Sequence, residues 1–318
     1  DTLFALSAIG LVAFVAIERR ASEPILDLRL FRNRTFAVGN AATFVIGATF
    51  FASIVFLPLF MVNVVGLSAT SSGLTITPLT LGVVSGNIIS GQIVSRLGRY
   101  RSLVLAACVI NLVGFAVMGF TLRTDSTQAE VTLKMVLLGL GIGPFVPMFT
   151  LIIQNAVPPR EIGVATSSAT FFRTLGGTVG LAVFGSLFGA TLASGMRARL
   201  PEAAADLPPE VRAELTSGAR PRAPSSEGGG TQMFPAEALK VQVREHFAGR
   251  PDPSAEEAAL AAVDRADAAF RAAFAEATRT IYQVGMALAL LAMGLTFLLP
   301  DLPLRGRARA RAPVEAPG

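Results

Sequence analysis

Six long stretches of the 318-residue sequence carry no charged side chain: 2–17, 35–95, 102–122, 135–159, 174–196 and 280–300. A helix needs about 20 apolar residues to cross roughly 30 Å of hydrocarbon. The stretch 35–95, at 61 residues, must therefore hold two spans. Its natural break is Gly66-Leu67-Ser68-Ala69-Thr70-Ser71-Ser72-Gly73, a run of turn formers between two apolar segments. Seven spans result, the first shorter than the rest. β-Barrel strands would show about ten-residue segments of alternating polarity, so the expected fold class is all-α, a polytopic helical membrane protein. Composition agrees: 52% of residues are hydrophobic and 15% charged, against about 25% charged in a soluble domain.

The cations fall on alternate turns. One side collects Arg19, Arg20, Arg29, Arg32, Arg34, Arg96, Arg99, Arg101, Arg160, Arg305, Arg307, Arg309 and Arg311, whereas the opposite short loops carry Arg123 and, near an edge, Lys134. The positive-inside rule puts the arginine-rich side in the cytoplasm. The expected location is the cytoplasmic membrane, multi-pass, with the C-terminus inside. The net charge of +5 reflects these flanks, and no nucleic-acid partner is expected, since such a partner would require basic residues clustered on one folded face.

The polar segment 194–279 then lies outside. It opens with Pro208-Pro209, Pro221, Pro224 and Ser225-Ser226-Glu227-Gly228-Gly229-Gly230, the composition of a flexible linker. Further on, Ser254-Ala255-Glu256-Glu257 has capping-box spacing. Leu260, Val263, Phe270, Phe274 and Ile281 follow near helical spacing, predicting an amphipathic helix that runs into the last span.

Chemistry at membrane depth is sparse. Ionisable groups there cost roughly 2.5–3.5 kcal/mol on insertion scales and mark function by default, yet none of the apolar runs contains Asp or Glu. Arg173, between Phe171-Phe172 and Thr174-Leu175, is the one charge near an interior; the alternative to a functional role is snorkelling to the cytoplasmic interface. With one histidine (His246), one cysteine (Cys108) and no buried carboxylate pair, neither metal binding nor enzymatic catalysis is indicated. Gly82 and Gly86, Gly176 and Gly180, and Gly185 and Gly189 lie four apart, which allows close helix approach. Gly139-Leu140-Gly141-Ile142-Gly143-Pro144 predicts a bend near Pro144. Asn40, Thr43, Phe44 and Phe51 share one region of the second span as a candidate substrate-binding wall, with Asn87, Gln92 and Asn111 as further cavity candidates. Interhelical bonding is the competing role for each amide.

Several motifs together resemble one family. The run Glu23-Pro24-Ile25-Leu26-Asp27-Leu28-Arg29-Leu30-Phe31-Arg32-Asn33-Arg34-Thr35-Phe36 is similar to the connector before the C-terminal half of fourteen-helix drug:proton antiporters of the major facilitator superfamily. Gly91-Gln92-Ile93-Val94-Ser95-Arg96-Leu97-Gly98-Arg99-Tyr100-Arg101 resembles the superfamily's G-x-x-x-D-R-x-G-R loop, with Ser95 in the acidic position. Gln154-Asn155-Ala156-Val157-Pro158, Gly163-Val164-Ala165-Thr166-Ser167 and Phe171-Phe172-Arg173-Thr174-Leu175-Gly176-Gly177 resemble the next-to-last helix and its entry, and Pro303-Leu304-Arg305 the ending. Val62 stands where the family often has glutamine after Leu57-Pro58-Leu59.

The resemblance implies a division of the chain. Residues 1–17 would end a central helix and 18–35 form a cytoplasmic connector. Within 36–193, five spans would lie at about 36–62, 73–95, 102–122, 135–153 and 165–193. An extracytoplasmic loop with its amphipathic helix would follow at 194–279, then a last span at 280–300 and a basic cytoplasmic tail at 301–318. The chain opens at Asp1 on an apolar run already under way and is expected to be the C-terminal half of a longer protein, partnered by an N-terminal bundle that holds the proton-coupling acid. The implied function is proton-driven efflux of amphipathic organic compounds by alternating access, with the proton gradient as energy source and no cofactor. Gly91, Arg96, Gly98, Arg99 and Arg101 would stabilise a gate state; Gly139, Gly141, Gly143, Pro144 and Arg173 would serve conformational change. Export of a biosynthetic product, or a non-transporting receptor or scaffold, are the alternatives.

Overall fold

The computed structural model describes residues 9–10, 13, 16–17, 28–67, 76–97, 101–205, 207, 233–234, 236–248 and 253–300. The connector up to residue 27, the turn at 68–75, Gly98, Arg99, Tyr100, most of the linker and the tail 301–318 fall outside the described residues, as does most of the first expected span. Among the described residues the regular structure is helical throughout.

A 3-10 turn at Leu28–Arg32 leads into α1, Arg34–Asn63. The carboxamide of Asn33 starts this helix: its oxygen accepts from the Thr35 and Phe36 amides at 2.9 and 3.4 Å, satisfying donors that would otherwise be orphaned. Its nitrogen donates to the Ala156 carbonyl at 2.8 Å, which ties the start of α1 to the end of α5. Helices α2 (Thr77–Leu97) and α3 (Arg101–Thr121) follow, then α4 (Gln128–Ile142), opened by Thr127, whose hydroxyl accepts from the Glu130 amide at 3.3 Å. The chain is interrupted at Gly143 and Pro144 before α5 (Phe145–Asn155). Neither Pro144 nor Pro147 supplies an amide donor there, so the helix breaks where the bend was expected.

A turn at Pro159–Glu161 begins α6, Ile162–Ala203, which runs 42 residues. After the linker come α7, Ala236–Phe247, and α8, Pro253–Phe297, of 45 residues. At 1.5 Å per residue, α6 and α8 are each roughly 65 Å long, about twice the hydrocarbon thickness. Much of 194–279 is thus rigid helix: α6 continues to Ala203, and α8 begins 27 residues before 280. The expected amphipathic helix and last span are one rod. Its stripe of Val263, Phe270, Phe274 and Ile281 is buried against protein.

Among the described residues five helical stretches are long and apolar enough to cross a membrane: Arg34–Asn63, Arg101–Thr121, Gln128–Asn155, Pro159–Ala203 and Pro253–Phe297. Helix α2 has the length but is diluted by Ser85, Asn87, Ser90, Gln92 and Ser95. In the bundle α1 packs on α6 and α8, α8 also on α3 and α6, and α4 on α2 and α3. The core is continuous from the bundle into the projecting part. Ring contacts run from Phe56 to Phe188 (5.1 Å), Phe188 to Phe274 (4.9 Å), Phe274 to Phe270 (5.7 Å) and Phe270 to Phe234 (5.4 Å).

Candidate transport site

Two seams without side chains organise the bundle. On the first, α1 meets α6: a Cβ built on Gly47 would lie 2.1 Å from the Arg173 carbonyl oxygen, and one on Gly176 would lie 2.0 Å from that of Phe44. Gly177 faces the Phe51 ring and Gly180 the Ala48 methyl, at 2.3 and 2.4 Å by the same construction. On the second seam α2 meets α4: Gly139 faces the Leu79 carbonyl at 2.4 Å, Gly143 that of Val83 at 2.3 Å, and Gly82 and Gly86 return the contact to Val136 and Leu140. Gly141 points elsewhere, onto the Asn111 backbone of α3 at 2.6 Å. The three alternating glycines therefore let α4 approach two neighbours.

Not every predicted glycine contact forms. Gly185 and Gly189 have nothing within 4 Å of a built Cβ, so their four-residue spacing creates no seam. Gly91 is exposed and likewise open. Arg96 is exposed at the end of α2 and Arg101 half-buried at the start of α3, while Gly98 and Arg99 lie outside the described residues.

The four candidate wall residues sit in or beside the α1–α6 seam. Asn40 is fully buried, its nitrogen donating to the Phe36 carbonyl at 2.9 Å and its oxygen accepting from the Ser168 hydroxyl at 3.1 Å. Both ends of this amide thus serve packing. Thr43 donates to its own helix at Gly39, 2.8 Å away. Phe44 supplies the carbonyl against Gly176, and Phe51 lays its ring over Gly177; both side chains are half-buried.

Lys134 and Tyr282, neither of them assigned to a site from the sequence, and Asn111, one of the cavity candidates, are buried in the bundle. Lys134 is 8% exposed; its ammonium pairs with Glu130 and donates to the Thr121 carbonyl at 3.1 Å, capping the end of α3. The Tyr282 hydroxyl and the Asn111 amide nitrogen are buried with no hydrogen-bond partner among the described residues. Ser168, the partner of Asn40, was equally unmarked. A serine on an apolar helix is the weak signal that pointed to it.

Arg173 is half-buried on α6 and makes no hydrogen bond or ion pair among the described residues. The contact of its backbone carbonyl with Gly47 sets the main chain at Arg173 level with the middle of the 30-residue α1, about 20 Å along the axis from Arg34. Nearby, Phe172 meets the ring of Phe31 at 5.6 Å.

The arrangement is one of helix seams and helix ends, and among the described residues no group of three or more His, Cys, Asp or Glu is placed to hold a metal ion. Comparison with known proteins gives the same picture. A family model described as Major Facilitator Superfamily matches residues 3–181. The multidrug transporter protein MdtP of Bacillus subtilis is 37% identical over 188 residues, 59% of this chain and 34% of that protein. A tetracycline resistance determinant of Streptomyces rimosus is 33% identical over 186 residues, 58% of this chain and 53% of that protein. Multidrug resistance protein Stp of Mycobacterium tuberculosis is 29% identical over 219 residues, 68% and 40% of the two chains. The chain thus spans between a third and just over half of the length of these curated relatives.

Proposed function

Because the chain belongs to the Major Facilitator Superfamily, we propose that it forms the C-terminal half of a proton-driven exporter of amphipathic organic compounds that works by alternating access. The observation that carries this reading is the pair of glycine seams, α1 on α6 and α2 on α4, flanking the break at Gly143 and Pro144. Small residues let helix backbones approach closely, which makes each seam a compact unit that can move as one when bundles rock around a midplane site. The names of the relatives, multidrug transporters and a tetracycline resistance determinant, support export of drug-like compounds.

In this reading the arginine-bearing ends of α1, α2 and α3 face the cytoplasm and the projecting α7 and α8 segment lies outside the cell membrane. The remainder of the protein supplies an N-terminal bundle with the proton-coupling carboxylate. Substrate and lipid are the partners, and the proton gradient stands in place of a cofactor. The test is ethidium efflux from an efflux-deficient bacterium that expresses the full-length protein. Energised, ionophore-sensitive export is expected; uptake identical to the empty host sinks the proposal.

A further inference from the structure

Between Glu161 and Arg197 the only ionisable residue of α6 is Arg173. The open surface of the helix around it has two characters. Leu175, Val179 and Val183 form an exposed apolar strip. Ser167, Thr170, Thr174 and Thr178 recur at three- and four-residue spacing, one stripe of a helix, and all four are exposed. Arg173 adjoins this hydroxyl stripe, three residues from Thr170 and next to Thr174.

Among the described residues no counter-charge faces it from the elements packed on α6. Helix α1 and helix α5 contain no acidic residue. The acids of α8 end at Glu276, which is 2.7 Å from Arg199 towards the far end of α6. Glu161, before the first turn of α6, is paired with Arg160 at 3.4 Å. The planar fork of a guanidinium matches a carboxylate with two parallel bonds.

We propose that the hydroxyl stripe of α6 lines the water-filled path of the transporter, and that Arg173 is the anchor there for a carboxylate on the transported compound. The inference rests on the transporter reading and adds a substrate class to it: compounds with an acid group on an otherwise apolar frame. The hydroxyls of the stripe offer neutral contacts to the rest of the ligand, and Thr178 already bonds back to the Thr174 carbonyl at 3.0 Å, so the wall stays satisfied when the path is empty.

The first experiment does not depend on transport. Thr174→Cys is introduced into the full-length protein in proteoliposomes, and its modification by an anionic sulfonatoethyl and a cationic trimethylammonioethyl thiosulfonate is timed, each rate normalised to a free thiol. The anionic reagent is expected to be favoured at least fivefold more with Arg173 present than with Arg173→Gln. A thiol that neither reagent reaches, or a ratio the second substitution leaves unchanged, overturns the proposal. The second experiment compares efflux of carboxyfluorescein with that of ethidium, which has no acid group. Arg173→Gln is expected to lower carboxyfluorescein efflux at least tenfold with ethidium efflux little changed, and Arg173→Lys to restore part of it. Equal loss of both dyes assigns Arg173 to the conformational cycle and overturns the carboxylate assignment. A wild-type protein that moves neither dye removes the transporter reading, while the labelling ratio still decides the charge preference at Arg173.

Discussion

The α-carbon of Gly143 faces the carbonyl oxygen of Val83 so closely that a methyl group added there would lie 2.3 Å from it. Because the obstacle is backbone, relief requires α2 and α4 to move apart. Gly143→Ala and Gly139→Ala are each expected to destabilise the bundle by about 1–3 kcal/mol, the range for overpacking a close-packed interior, and to slow efflux. Gly91→Ala, at an open helical position, is expected to leave stability unchanged or raise it by about 0.5–1 kcal/mol. Thermal unfolding in detergent distinguishes the two classes.

Asn40 and Ser168 offer a second test, as a pair. Truncating either to alanine is expected to cost about 1–2 kcal/mol, and a double-mutant cycle to return a coupling of about 0.6 kcal/mol, typical of interhelical polar bonds in membranes. Ligand affinity unchanged in Asn40→Ala would agree with an amide occupied by packing. A large loss of affinity without a loss of stability would return it to the binding wall.

Lys134 closes the end of α3. Lys134→Met leaves the Thr121 carbonyl uncapped and Glu130 without its partner, and is expected to lower stability by about 1–3 kcal/mol. Adding Glu130→Gln to it should recover part of the loss, because one uncompensated charge is removed. Faster amide exchange at 118–122 in the single variant is the local signature.

The projecting segment is held to the end of α1 by two bonds: the Met233 amide donates to the Asn63 side-chain oxygen at 2.7 Å, and Arg271 donates to the Val64 carbonyl at 3.3 Å. Arg271→Ala combined with Asn63→Ala is expected to raise proteolysis and amide exchange across α7 while the bundle keeps its melting temperature. Protection unchanged across α7 would show that its apolar contacts with α8 suffice.

The link between α7 and α8 also carries a pH dependence. The Lys240 ammonium donates to Asp264 at 2.8 Å, and this bond, with the nearby Glu237 carboxylate, raises the lysine above its ordinary value. A raised folded value means the contribution is complete below the unfolded lysine pKa of about 10.4 and is lost as pH climbs through the folded one. Protection of the α7 amides, taken relative to the intrinsic exchange rate at each pH, should therefore fall as the buffer becomes strongly alkaline, and Lys240→Gln should remove that part of the fall.

Much of this architecture was legible because a membrane leaves the backbone few solutions: the described parts of the charge-free stretches are largely helical, and Gly143-Pro144 interrupts a helix as expected. Charge gaps are a poor guide to where a helix stops. Counting them ends the last span at 280, yet alanine-rich sequence carries α8 back to Pro253, since outside the hydrocarbon charges are no obstacle to helix. Spacing within one segment likewise names a stripe but not its partner. Gly176 and Gly180 find α1, and Gly185 and Gly189 at identical spacing find nothing. Asn40 reads from sequence as either a wall residue or an interhelical amide, and its partner Ser168, 128 residues away, could not be named from spacing. The level of the Arg173 main chain was illegible for the same reason; the contact of its carbonyl with Gly47 supplies it.

Helix α8 runs from Pro253 to Phe297 without a break, so a tilt at one end would be carried to the other as by a lever arm. With a fulcrum near the bilayer centre and about 45 Å of rod beyond it, a tilt of roughly 10° at the base swings the tip by about 8 Å. A pair of spectroscopic labels at Glu257 and on a fixed soluble reference would read such a tilt magnified, as a needle does on a dial.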